Sequence, residues 1–274
     1  MPLDLEELRL EALGTTCHLL GIGLEKAALA EAAAAIADLN GRLSRFLPDS
    51  ELCRFNASAG SWTDVSPELE ALLRLALDAY ERSGGLVHAG VLEQMLAIGY
   101  TRPLAQGPTP ALPAAPGRLP PLPDLLEVQK GQARVRAGTG IDLGGLAKGW
   151  MADRLAERLG ENCLVNLGGD LFGRGGGPEG EGWPVKLGEV TVLLGDRGAA
   201  TSGTRRRRWT DRGEELHHLI DPRTGRPARS DLTEVAVIAA SGADAEIAAK
   251  TALLLGSERA AGYLAANTDG WWLS

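Results

Sequence analysis

Two periodicities run through this chain. From Glu25 to Leu43, Ala, Leu and Ile recur at helical spacing among Glu, Asp and Asn, which predicts a helix. A second helix is predicted over Pro67 to Ser83, with Leu69, Leu72, Leu73, Leu75 and Ala76 on one side, and a short third over Val91 to Ile98. Leu8 to Gly21 reads as a strand or hairpin entry broken at Gly14, and Glu127 to Arg136 alternates like a strand. Gly144 to Leu159 opens on a glycine pair and becomes a helix. Cys163 to Leu167, Val190 to Leu194 and Val235 to Ala239 read as strands, and Gly173 to Gly182 as a flexible loop. Asp244 to Leu255 is an Ala-rich helix stopped by Gly256. Pro103 to Pro123 carries eight prolines, which excludes regular helix and central strand and predicts an extended surface connection. Strands and helices mix without regular βαβ alternation, so the expected class is α+β, in one domain over residues 1–274.

Composition narrows the function classes. With 274 residues, 44% of them hydrophobic, the chain can bury a substantial core, and at 4% aromatic content that core must be aliphatic. A net charge of −8 gives no general attraction to nucleic acid or anionic lipid, so an anionic ligand must be held by local groups. Cys17, Cys53 and Cys163 are far apart and form no CxxC pair, which argues against a disulfide framework or zinc site and for reduced thiols in the cytoplasm. Asp4, Glu6 and Glu7 precede any apolar run, so no signal peptide is expected. No apolar stretch reaches the length of a membrane span.

The polar and glycine clusters sit at turns. Gly14-Thr15-Thr16 lets a ligand lie against backbone, and a strand bulge explains it as readily. Ser44-Arg45-Phe46 leads to Asp49-Ser50-Glu51 and Asn56; Arg45 can pair with a phosphate or with Asp49, while Ser50 and Glu51 can cap a turn. Asp142-Leu143-Gly144-Gly145-Leu146-Ala147-Lys148-Gly149 enters a helix that carries Asp153. Backbone N–H groups, the helix dipole and the Lys148 charge there suit a phosphate, or the segment is an ordinary helix start. In Asn166-Leu167-Gly168-Gly169-Asp170, the glycines permit close approach of a ring or sugar and Asp170 can accept a ribose hydroxyl; a plain turn is the alternative. Thr201-Ser202-Gly203 precedes the run Arg205 to Arg208, read first as a solvated face, with phosphate contact by one of them the alternative. His217-His218 then stands beside Asp221-Pro222-Arg223-Thr224-Gly225, where an imidazole is a suitable general base.

The ordered set resembles the ApbE family of FAD:protein FMN transferases, over about residues 8 to 256, with His218 to Pro227 its most specific segment. The resemblance implies a single α+β unit of two related halves around an FAD cleft. It also implies Mg²⁺-assisted cleavage of the FAD pyrophosphate, FMN passing to a threonine hydroxyl of a target protein and AMP leaving. It assigns the base to His218. FAD contacts fall to Gly14, Thr15, Ser44, Ser50, Glu51, Asn56, Asp142, Lys148, Gly168, Gly169, Asp170, Thr201, Ser202, Gly203, His218, Asp221 and Thr224, and a metal-holding backbone carbonyl to Gly145. Two departures stand out. The family's Asp and Thr metal ligands, four residues apart on the late helix, are Glu246 and Lys250 here, and a protonated lysine cannot ligate a metal. In the flavin-contacting loop Leu86 to Gly90, Val87 is followed by His88 and Ala89 where the family usually has an aspartate and a proline. FMN transfer is therefore the leading expectation. The alternatives are FAD binding without transfer, and hydrolysis of FAD to FMN and AMP.

Overall fold

The computed structural model describes residues 4–112 and 117–274. Along the chain come β1 (Leu5–Ala12), β2 (Thr15–Ile22), α1 (Lys26–Leu43), α2 (Glu51–Ala57), β3 (Thr63–Asp64), α3 (Pro67–Arg82) and α4 (Leu92–Ala97). After two isolated 3₁₀ turns follow β4 (Leu126–Gln129), β5 (Gln132–Val135), α5 (Ala147–Leu159), β6 (Cys163–Leu167), β7 (Asp170–Arg174), β8 (Trp183–Leu187) and β9 (Val190–Leu194). The last third holds β10 (Arg197–Gly203), β11 (Arg208–Asp211), β12 (Glu214–His217), β13 (Ile220–Asp221), β14 (Arg226–Pro227), β15 (Glu234–Ala239), α6 (Gly242–Leu255), α7 (Ser257–Asn267) and β16 (Gly270–Leu273). Helices and antiparallel strands mix, so the class is α+β.

The elements fall into two compact units. The first comprises Met1–Asn40, Leu146–Ser202 and Glu234–Ser274; the second comprises Gly41–Gly145 and Gly203–Thr233. The first is built on a seven-stranded sheet in the order β1-β2-β6-β7-β10-β15-β16. Strand alternation gives the sheet two apolar faces. On one, Ile22, Leu164, Leu171, Ala199 and Ala236 pack with Trp183, Val185 and Leu187 of β8 and Leu194 of β9. On the other, Cys17, Leu19, Val165, Leu167, Val235 and Val237 are fully buried on the side of α5 and α6. The second unit holds the small sheet β3-β5-β4, the hairpins β11–β12 and β13–β14, and α2, α3 and α4. One of its cores gathers Met95, Ile98, Tyr100, Trp209, Leu216 and Ile220.

Several expectations change. The strand expected over Glu127 to Arg136 is the hairpin β4–β5, because Gly131 at φ 75° turns the chain. The flexible loop expected from Gly173 begins later, since Gly173 lies inside β7 and pairs with Leu164. From Gly175 on, that loop packs tightly: a Cβ on Gly175 would sit 2.2 Å from the Glu161 carbonyl, and Gly177 N–H donates to Asn162 Oδ1 at 2.9 Å. The proline-rich stretch contains 3₁₀ turns at Leu104–Gln106 and Leu122–Asp124; its residues 113–116 lie outside the described residues.

The first unit turns on how α5 and α6 meet. The N-cap of α5, Leu146, offers no side-chain acceptor. Glu246 of α6 supplies one instead, its Oε2 accepting from Gly149 N–H at 2.9 Å. Asp153 of α5 returns the favour, accepting from Gly242 N–H at 2.6 Å and Ala243 N–H at 3.0 Å, the first two amides of α6. Each helix thus has its orphan donors and its positive dipole end answered by a carboxylate of the other. Glycine makes the approach: a Cβ on Gly149 would lie 2.4 Å from the Gly242 carbonyl oxygen, and one on Gly198 of β10 would lie 2.1 Å from the Gly242 nitrogen.

Two outcomes follow for stability. Gly149→Ala gains about 1 kcal/mol of helix propensity, but the clash is with backbone, which overpacking penalties of about 1–3 kcal/mol and more describe. A net loss is expected, read as a lower denaturant midpoint. Burial raises the Asp153 carboxyl from 3.8 to about 6, against the opposing pull of the Ala243 and Gly242 amides. The folded state therefore holds a proton that the unfolded chain releases. That contribution is full below about pH 4 and fades as pH rises through about 6. In Asp153→Asn, this part of the pH dependence of the midpoint should vanish.

Candidate functional site

In the first unit, one end of the sheet gathers most of the expected contacts. Leu13 and Gly14, at φ 56° and 68°, form the two-residue turn between β1 and β2. Gly168 and Gly169, at φ 77° and 104°, do the same between β6 and β7, so this segment is a hairpin turn whose positive φ values glycine supplies without strain. The Thr15 side chain occupies the space over Gly168: a Cβ there would stand 2.2 Å from Thr15 Oγ1. Thr201 N–H donates to the Gly169 carbonyl at 3.1 Å, which brings β10 and its Thr201-Ser202 pair to the same turn. Asp170, 4% exposed, follows directly, and the Lys148 ammonium at the start of α5 is paired with it. Lys148 Nζ also lies 3.9 Å from Glu246 Oε1. Gly14, Thr15, Lys148, Gly168, Gly169, Asp170, Thr201 and Glu246 therefore form one connected set.

In the second unit, Arg45 does not meet Asp49. Its Nε lies 2.7 Å from Asp142 Oδ2, both side chains are buried, and its guanidinium stacks 4.1 Å from the Phe46 ring centre and 4.5 Å from that of Tyr100. The cause is Asp142, whose buried carboxylate needs a cation and also accepts Gly144 N–H at 2.7 Å. Asn56 clamps the preceding residue, donating to the Ile141 carbonyl at 2.9 Å and accepting its N–H at 2.8 Å. Asp142 N–H donates to the Ala89 carbonyl at 2.8 Å. The segments 44–46, 86–90 and 139–145 are thus held in one network. Ser44 accepts Phe46 N–H, Ser50 caps α2, and Glu51 accepts both Ser66 N–H and its hydroxyl. Val87 is buried, its N–H on Ser83 Oγ. His88 accepts Gly90 N–H at Nδ1, so its Nε2–H donates to the Pro120 carbonyl, and burial holds its pKa low and the ring neutral.

The histidine pair divides its labour. His217 is committed to the fold: Leu219 N–H donates to Nδ1 at 3.3 Å, Nε2–H donates to the Ala228 carbonyl at 2.9 Å, and burial lowers its pKa. His218, next along the chain, is half-buried, and its N–H donates to the Arg207 carbonyl. Behind it, β13 pairs with β14 and Asp221 grips Arg223 through both carboxylate oxygens, raising the Arg223 pKa. Thr224 donates its hydroxyl to the Asp221 carbonyl. Gly225, at φ 67°, would place a Cβ 2.6 Å from the Gly117 carbonyl oxygen, so glycine is required. Gly203 stands at the end of β10, and Arg205 and Arg206 are exposed, as a solvated face should be.

The donor set for a divalent ion does not form around Glu246. One of its oxygens caps α5 and the other faces an ammonium, and Lys250 stands one turn further on. Among the described residues no three His, Cys, Asp or Glu side chains gather as metal ligands. Magnesium takes one or two carboxylates besides waters and substrate phosphates, and the Glu246 oxygen left over from the cap already faces the Lys148 ammonium. Gly145, assigned a metal-holding carbonyl by the resemblance, ends the second unit beside Gly144.

Two functional features escaped the sequence reading. The Arg45–Asp142 pair has no signal at a separation of nearly a hundred residues. The start of α6 did have one: Ser241 accepts Asp244 N–H and donates to its carboxylate, a local Ser-x-x-acid capping arrangement.

Comparison with known proteins agrees with this geometry. Residues 13–271 match the model of the ApbE family. The FAD:protein FMN transferase of Treponema pallidum is 30% identical over 81% of this chain and 69% of its own length. That of Haemophilus influenzae is 26% identical over 89% and 80%. Among solved structures, the ApbE protein of Thermotoga maritima superposes with a TM-score of 0.84 at 23% identity, covering 98% of this chain and 94% of that one. The Pseudomonas stutzeri flavinyl transferase ApbE gives 0.81 at 23% identity over 100% and 96%. With its family model matched over nearly the whole chain and its fold shared with these structures, the chain belongs to the ApbE family.

Proposed function

We propose that the protein is an FAD:protein FMN transferase, taking FAD as substrate and a threonine of a second protein as acceptor. The observation that carries this reading is the His218 segment, hydrogen-bonded on both sides of a half-buried histidine. His217 and Asp221 are locked by hydrogen bonds, and His218 lies half-buried between them. The relatives' shared name, FAD:protein FMN transferase, supports it.

The chemistry is written as follows. His218 takes the proton from the threonine hydroxyl, a poor nucleophile without a base. The threonine oxygen bonds to the phosphorus of the FMN half, the bond from that phosphorus to the bridging oxygen breaks, and AMP leaves with the electron pair. Negative charge builds on the departing phosphate, and we assign the Lys148 ammonium to answer it. Gly168 is covered by Thr15, while Gly169, with open space where a Cβ would stand, lets a sugar or ring lie against backbone. Asp142, Asn56, Glu51 and Ser50 serve by holding the loops in place. The resemblance calls for Mg²⁺; with Glu246 spent on its cap and on Lys148, no step here is routed through an ion. The three cysteines are unbridged, which supports a cytoplasmic setting.

One specific observation favours a second reading, FAD binding without transfer: the carboxylate and lysine at the expected ligand places, Glu246 and Lys250. Incubation with FAD and a threonine-bearing acceptor domain, read by mass spectrometry, separates the two. Covalent FMN with stoichiometric AMP is expected; bound FAD with neither product establishes the second reading, and FMN with AMP but no adduct means hydrolysis. His218→Asn should lower transfer by about 10²-fold or more, as for removal of a general base. Its FAD affinity, measured by flavin fluorescence, should fall far less than its transfer rate, since His218 is one of many contacts.

A further inference from the structure

We infer that the positive charge facing the dinucleotide diphosphate in the first unit is carried by two lysine ammonium groups, Lys148 and Lys250, in place of a divalent cation. The inference rests on the FAD reading above. It begins with Glu246, which is 6% exposed and has both oxygens engaged. Oε2 accepts Gly149 N–H at 2.9 Å, and Oε1 lies 3.9 Å from Lys148 Nζ. With Oε2 held by the cap of α5, Oε1 is the oxygen an ion would have to take, and the Lys148 ammonium already faces it. A dication brought beside Glu246 meets the Lys148 ammonium on one side.

Lys250 completes the arrangement. It stands four residues after Glu246, hence on the same face of α6. Eleven of the fourteen residues of α6 are buried, and Lys250 is the half-buried charged residue in the body of the helix. A lysine stem can lie along apolar surface while its ammonium reaches polar surroundings. An ammonium gives a diphosphate a compact point charge with three donors, which needs no octahedral shell.

The test is FAD affinity of the full chain by flavin fluorescence, in EDTA and in magnesium or manganese, for the wild type, Lys250→Arg and Lys250→Met. The expected result is the same wild-type affinity in all three buffers. A loss of about tenfold is expected in Lys250→Met, the size of one charge-assisted contact of roughly 1.4 kcal/mol, with affinity kept in Lys250→Arg. Calorimetric titration of the FAD complex with magnesium should show no stoichiometric site. An affinity that rises tenfold or more with magnesium overturns the inference alone and leaves the flavin reading standing. Unchanged affinity in Lys250→Met also overturns it. Absence of FAD binding in every buffer overturns both.

Discussion

The exchange of carboxylates between α5 and α6 is the constraint on which the first unit is built. Glu246 caps one helix and Asp153 caps the other, and each lies on the helix it does not cap. The start of α5 lacks a capping side chain, that of α6 has Ser241 alone, and both begin in glycine-containing segments of poor intrinsic propensity. The exchange requires that the two starts nearly touch, and Gly149, Gly198 and Gly242 permit it. Once the starts are placed, Lys148 stands at the second position of α5 beside Asp170, the first residue after the Gly168-Gly169 turn. The polar set at the end of the sheet is therefore a consequence of how the helices cap each other. The cost is visible in Asp153, whose carboxyl is driven up by burial although two amides favour its ionised form.

The second unit uses a different device for the same end. Its loops have little regular structure, and a buried ion pair orders them. Arg45 holds Asp142, Asp142 holds Gly144, and Asn56 holds Ile141. The ring of Tyr100 then passes the order on, stacking with Arg45 and lying 5.6 Å from Trp209 of β11, the strand that pairs with the one ending in His217. Removing one member of such a pair strands a buried charge at about 3–5 kcal/mol. Arg45 thus acts through packing.

Much of this was legible in the sequence because it is local. The helical spacing of Leu69, Leu72, Leu73 and Ala76 names the buried face of α3, and the strand Cys163–Leu167 is read to the residue. The histidine loop was also legible, since Asp221, Arg223, Thr224 and Gly225 satisfy one another within a few residues. What escaped is non-local. Nothing near Arg45 announces Asp142, and nothing near Gly149 announces Glu246; those partners are set by tertiary packing across 97 residues. A short apolar alternation such as Glu127 to Arg136 also cannot distinguish one strand from a tight hairpin unless the turn glycine, Gly131, is given its weight.

The same non-locality decides how the site handles charge. A carboxylate at position 246 can face an ion or cap a helix, and the choice depends on what lies within its reach. Glutamate, one methylene longer than aspartate, reaches the amide of Gly149 on the neighbouring helix. With that bond made, its remaining oxygen meets an ammonium, and the next residue on the same face is a second lysine. The pair of residues 246 and 250 must be read together for this reason. A lysine beside an ion-binding carboxylate would oppose the ion. On the inference drawn above, the positive charge that a diphosphate needs at that point comes from side chains, set around a carboxylate that caps a helix.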